Sequence, residues 1–271
     1  MQNTKQTLEN IKANGYDIDF GSVFNNAFEN YKKIALNAGV AFLLFMILMG
    51  IVAVGLFIAA FGIGTSTDSD ALSQFNIADF SWVGILIYSI SLILFAALTS
   101  PFSAGILLMA RNASRNEEVS VGNAFEYYSS SYFKEIFLAT ILLSTFTTIL
   151  TVGLELVDYK ILGLLLSMIV SFVTFITIPL IVFGELKAID AIKGSIVIVS
   201  KQFFILLGLL IVAFLFCMLG IFGFCIGIIF TMPFISSMTY SIYASIINDE
   251  DNEENEENEE ENHQDFETIM E

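Results

Sequence analysis

The stretch QFFILLGLLIVAFLFCMLGIFGFCIGIIFTMPFISSMTYSIYASIIN, residues 202–248, runs for 47 residues without one charged side chain. Crossing a hydrocarbon core of about 30 Å takes roughly 20 apolar residues, and a charge at mid-membrane costs at least about 2.5 kcal/mol. The run is too long for one crossing and suits two, divided near Gly220 to Gly223, where glycines permit a tight reversal. The same ruler finds charge-free windows upstream at 34–67, 80–110, 136–154 and 161–184. Six spans result. Lipid offers no partner to backbone N–H and C=O groups, so each span is expected to be a helix. The alternating strands of roughly ten residues that a β-barrel needs are not visible.

The rest of the chain agrees. Of 271 residues, 56% are hydrophobic and 14% charged, against about 25% charged in a soluble domain. The net charge of −17 is a property of the tail: 13 of the 28 acids fall between Asp249 and Glu271, which leaves −4 on residues 1–248. The expected organisation is all-α and polytopic: a cytoplasmic segment 1–19, a six-helix transmembrane domain 20–248, and a disordered acidic cytoplasmic tail 249–271. Residues 1–15 hold no apolar run, so no cleavable signal peptide is expected. Cys217 and Cys225 sit inside apolar runs and are read as packing.

Loop charges orient the bundle. Lys5, Lys12, Lys32 and Lys33 precede the first window, Arg111, Arg115 and Lys134 separate the second from the third, and Lys187, Lys193 and Lys201 separate the fourth from the fifth. Only Lys160 falls on the other side, whereas the first external loop carries Asp68, Asp70 and Asp79 and no base. The positive-inside rule then puts both termini on the cytoplasmic side of the membrane.

An internal repeat divides the six spans. The three prolines recur in one phrase, Thr99-Ser100-Pro101, Thr177-Ile178-Pro179 and Thr231-Met232-Pro233, each in an even-numbered span. A second phrase precedes the odd spans: Gly21, Phe24, Tyr31 and Lys33 match Gly122, Phe125, Tyr132 and Lys134 at one offset of 101, and Ile192, Val199 and Lys201 take the third place. Units of about 20–115, 116–186 and 187–248 each make an even number of crossings, so they are expected to face the same way as parallel helix hairpins about an axis near the membrane normal. The lead-in segments are amphipathic, with stripes Val23, Phe24, Ala27, Phe28, Tyr31, then Val121, Ala124, Phe125, Tyr128, Tyr132, then Ile189, Ile192, Ile196, Val199. They are expected either to lie along the cytoplasmic interface, with Tyr31, Lys33, Tyr132, Lys134 and Lys201 as headgroup-level anchors, or to pack under the bundle as a floor.

Proline inside a helix removes one N–H bond and orphans the carbonyl four residues earlier, here that of Ala97, Phe175 and Ile229. The threonine two positions before each proline is expected to bend back to the preceding turn. Three such kinks around one axis make either packing devices or a cavity open toward the cytoplasm. Gly223 and Gly227 have the G-x-x-x-G spacing of a close helix contact.

Candidate chemistry is scarce. The single histidine, His263, lies in the tail, no span holds a deep charge, and no zinc, nucleophile-elbow or phosphate-loop motif occurs. No catalytic, cofactor-binding or metal site is assigned, carotenoid-oxygenase chemistry with its four histidines is excluded, and ion-coupled transport is disfavoured. Carboxylates near span ends, Glu155, Asp158 and Glu185, are read as rim residues.

On Phe20 to Lys33, on Thr177-Ile178-Pro179 and on Ala188 to Phe204, the chain resembles six-span bacterial inner-membrane proteins of unassigned function, including the membrane domain fused to some glycerophosphodiester phosphodiesterases. The resemblance covers about Ile18 to Ile247 and implies location and topology; the phosphodiesterase catalytic domain has no counterpart. The leading functional expectation is a non-enzymatic scaffold that contacts membrane lipid or a protein partner, the latter through the acidic tail with Phe266, Ile269 and Met270. The alternatives are a facilitator of an apolar or uncharged solute and, behind it, a lipid-modifying enzyme. Nothing points to nucleic acid, and no oligomeric state is assigned.

Overall fold

A computed structural model describes residues 2–61, 81–223 and 226–247. The acidic tail, the loop carrying Asp68, Asp70 and Asp79, and Cys225 lie outside the described residues. Every regular element among the described residues is helical. In order they are α1 (Gln2–Asn14), α2 (Phe20–Phe61), α3 (Trp82–Ser114), a 3-10 helix (Val121–Tyr128), α4 (Phe133–Glu155), α5 (Lys160–Val173), α6 (Thr177–Val182), α7 (Ala188–Lys201), α8 (Phe203–Leu219), a 3-10 turn (Gly220–Gly223), α9 (Ile226–Thr231) and α10 (Pro233–Ile247).

Four segments are long and apolar enough to cross a membrane: Phe20–Val52, Trp82–Ser114, Phe133–Glu155 and Lys160–Val182. A fifth is counted if α7 and α8, bent by 99° at Gln202, are taken together. The stretch expected to be a sixth span is divided at Met232 into α9 and α10, because Pro233 cannot donate to the ladder and starts a new helix instead.

The three lead-in segments pack as a floor against neighbouring helices, each by a different route. No breaker separates Phe20 from Ile34, so the first lead-in and the first window form one helix of 42 residues, about 63 Å long. Asp19 starts it: its carboxylate accepts the Ser22 N–H at 2.6 Å, and that bond holds the Asp19 pKa below the usual carboxylate range. The second lead-in is the 3-10 helix, whose backbone at Ala124 lies against Gly105 so closely that a Cβ there would overlap the Ala124 carbonyl. The third is α7, whose buried face is Ala191, Ser195, Ile198 and Val199; Ile189 and Ile196, expected on the packed stripe, are exposed. Small side chains let α7 approach its neighbours, and the Ser195 hydroxyl donates to the Val173 carbonyl at 2.9 Å.

α1 docks on this floor. Ile11 is buried, Leu8 sits over Gly194, Lys5 pairs with Asp190 at 2.7 Å, and Tyr16 donates to the Ile198 carbonyl at 3.1 Å. Gln202 Nε2 donates back to the Tyr16 carbonyl at 2.8 Å, which fixes the α7–α8 bend. The main apolar core therefore lies at the end where the basic lead-ins gather: α3 is buried almost continuously from Ala97 to Ala113, while Val83, Leu86, Ile87 and Ile90 in its first half are exposed. Such an apolar exposed belt is the surface expected of a chain solvated by lipid.

Candidate functional site

The three prolines have three local outcomes. At Pro101 the helix continues, because side chains replace the missing bonds. Ser100 donates to the orphaned Ala97 carbonyl at 2.8 Å, Thr99 to the Ala96 carbonyl at 3.0 Å, and Tyr128 of the 3-10 helix to the Leu98 carbonyl at 2.8 Å. At Pro233 the Thr231 hydroxyl lies 3.1 Å from each of the Cys217, Gly227 and Ile228 carbonyl oxygens, and Cys217 Sγ lies 3.2 Å from the Thr231 carbonyl. At Pro179 the helix breaks over residues 174–176, between α5 and α6. Thr177 is buried there at 2% exposure, and its hydroxyl has no partner among the described residues. The expected back-bonding threonine is thus found at Thr99 and Thr231 but not at Thr177.

Two of the three kinks border one cleft of about 350 Å³ between α3, α4 and the α5–α6 break. Nine of its lining residues carry hydroxyls: Thr99, Ser100 and Ser103 from α3, Thr140, Ser144 and Thr147 from α4, and Ser171, Thr174 and Thr177 around the break. No charged side chain lines it. The third kink is elsewhere, since Thr231 faces α8 and Gly220 packs directly on Gly227. Gly227 thus makes a close intramolecular contact with Gly220. The α4 residues were missed by reading proline phrases, although a signal existed: Thr140, Ser144, Thr147 and Thr151 recur at spacings of four, three and four in a charge-free window, which draws a polar stripe on an otherwise apolar helix.

The hydroxyls are mostly committed donors. Thr140 donates to the Ile136 carbonyl at 2.9 Å, Ser144 to Thr140 at 2.6 Å, Thr147 to Leu143 at 3.0 Å and Thr174 to Val170 at 2.8 Å. With Thr99 and Ser100, six of the nine protons go to helix carbonyls, while each oxygen keeps lone pairs that can accept.

Of the five expected anchors, Lys33, Tyr31 and Tyr132 make ties within the protein, and Lys134 and Lys201 are exposed. Lys33 Nζ donates to the Ala113 carbonyl and to Asn116 Oδ1, both at 2.8 Å, placing a cation at the negative end of α3. Tyr31 joins an aromatic cluster with Phe28, Phe216 and Phe234, its ring centroid 5.2 Å from that of Phe216 and 5.4 Å from that of Phe234. Tyr132 donates to Glu185 at 3.3 Å. Beside Lys134, an exposed residue, Glu135 accepts the Ala188 N–H at 2.8 Å and so caps α7, whose last residue is the exposed Lys201. Tyr127 is buried under the same floor, and that burial pushes its phenol up to about 12. The rim carboxylates do not meet: Glu155 pairs with Lys160 at 2.8 Å at the α4–α5 turn, far along α4 from the Tyr132–Glu185 contact. Among the described residues no group of three or more His, Cys, Asp or Glu side chains converges as a metal site.

No protein-family model, curated protein or solved structure matches this chain.

Proposed function

We propose that this protein is a multi-pass protein of the bacterial inner membrane that acts as a facilitator for a small uncharged polar solute, held in the cleft between α3, α4 and the α5–α6 break. The observation that carries the reading is the lining: nine hydroxyl residues and no charge around about 350 Å³, all within windows otherwise apolar enough for lipid. Polar groups at membrane depth are expensive when they serve nothing, and they gather where a polar molecule rests or passes. The absence of a carboxylate or base in the lining favours a neutral occupant over an ion.

The topology belongs to the same proposal: six spans in three like-facing pairs, with both termini cytoplasmic. Its support is the convergence of the basic lead-ins. Lys33 touches the segment after Arg111, Glu135 touches the start of α7, and α1 rests on α7. The scaffold expectation, drawn from a bundle without a catalytic set or buried charge, stands as the second reading, and its protein-partner element rests on the acidic tail.

The test is solute flux in reconstituted vesicles, followed by light scattering under an osmotic gradient of urea or glycerol. Vesicles holding the protein are expected to equilibrate faster than protein-free ones, and Ser144→Phe, which fills the cleft from α4, is expected to remove the difference. Equal rates with and without protein for both solutes sink the reading.

A further inference from the structure

We infer that the cleft selects solutes that carry several N–H or O–H donors on a compact neutral frame, of the urea or small-polyol type, and rejects solutes that can only accept. The inference rests on the solute-binding cleft proposed above and adds its chemistry. Six of its hydroxyls already spend their protons on carbonyls of their own helices: Thr99 and Ser100 on α3, Thr140, Ser144 and Thr147 on α4, and Thr174 at the break. A hydroxyl that donates inward presents lone pairs outward, so these six positions act as acceptors. Ser103 and Ser171 sit at the exposed rim. Thr177 borders the cleft, but it is buried and its hydroxyl oxygen is shielded from the space, so it offers nothing to an occupant.

The complementary molecule therefore brings many donors for few acceptors of its own. Urea has that ratio, with four N–H donors around one carbonyl, and a polyol supplies several O–H donors whose oxygens also accept. A ketone, ether or fully alkylated amide would set lone pair against lone pair in a medium with little water to separate them. Sites that hold buried hydrogen-bonding groups discriminate strongly against analogues that leave those groups unpaired.

The experiment measures binding to the full chain in lipid nanodiscs by saturation-transfer NMR, with urea, N,N′-dimethylurea and tetramethylurea as probes. The series keeps the carbonyl and removes donors in steps, and each probe is small beside the cleft. Affinity is expected to fall with each step and at least tenfold from first to last. Thr147→Val, which keeps the shape and removes an acceptor, is expected to weaken urea several-fold, whereas Thr177→Val, whose hydroxyl is shielded from the cleft, is expected to leave urea binding unchanged. Tetramethylurea binding as tightly as urea overturns the inference, and so does binding of none of the three. Graded binding without any flux would instead remove the facilitator reading and leave the selectivity standing.

Discussion

Thr177 carries a hydroxyl that works against stability. A buried hydroxyl with no partner costs about 1–3 kcal/mol against an apolar group of the same shape. Thr177→Val should therefore raise the stability of the protein by about 1 kcal/mol, which thermal unfolding in detergent would read. Ser100 behaves in the opposite way. Its proton satisfies the carbonyl that Pro101 orphans, so Ser100→Ala is expected to lower stability by about 1–2 kcal/mol. If the melting temperature is unchanged, the hydroxyl does not hold the kink. Gly105 admits no side chain because the Ala124 carbonyl occupies that space; Gly105→Ala should cost about 1–3 kcal/mol in the same assay, by prying the 3-10 helix from α3.

At the scale of elements, the segments before the odd spans share a place but not a shape. The sequence pattern identified their amphipathic faces and left open whether they lie on the membrane or beneath the bundle. What holds them to the other helices are contacts between distant parts of the chain, such as Ser237 donating to the Ala27 carbonyl at 2.7 Å and Lys33 reaching Asn116 at 2.8 Å. No local periodicity encodes these. The charge-free windows, by contrast, were legible because lipid imposes a one-dimensional rule on each segment alone. The cleft was half legible: proline phrases pointed to Thr99 and Thr177, but its α4 wall becomes a wall only when α3 and the α5–α6 break pack beside it. The docking of α1, a polar helix with no span to mark it, was not legible at all. Its Lys5–Asp190 ion pair is partly exposed, and such pairs contribute at most about 1 kcal/mol. Lys5 holds the Asp190 pKa below the ordinary carboxylate range, so the pair supports docking at neutral pH and is lost as pH falls through that depressed value. A spin label at Glu9 should become more mobile only below about pH 4, and should do so at neutral pH in Lys5→Glu. A label equally mobile across both conditions would mean that Ile11 and Leu8 alone secure the helix.

For the whole molecule the governing feature is its unequal ends. Hydrogen bonds and aromatic contacts join α1, α2, the 3-10 helix, α7 and α10 at the basic end, and the opposite halves of α2 and α3 expose Leu44, Ile47, Ile51, Leu86 and Ile90. Single cysteines at Lys32, Asn116 and Lys193 are expected to react with an impermeant reagent from one membrane face, and one at Asp158 from the other. A split among the first three would break the like-facing arrangement. α2 extends from the basic end to Phe61 without interruption, about 63 Å of helix against a hydrocarbon core of about 30 Å. A rod of that reach has no joint where a change of angle can be absorbed. Tilting is one response of so long a helix to a thinner bilayer, and at its root Phe28 and Tyr31 pack on Phe216 and Phe234. A change of lipid thickness is therefore expected to be felt first among those rings.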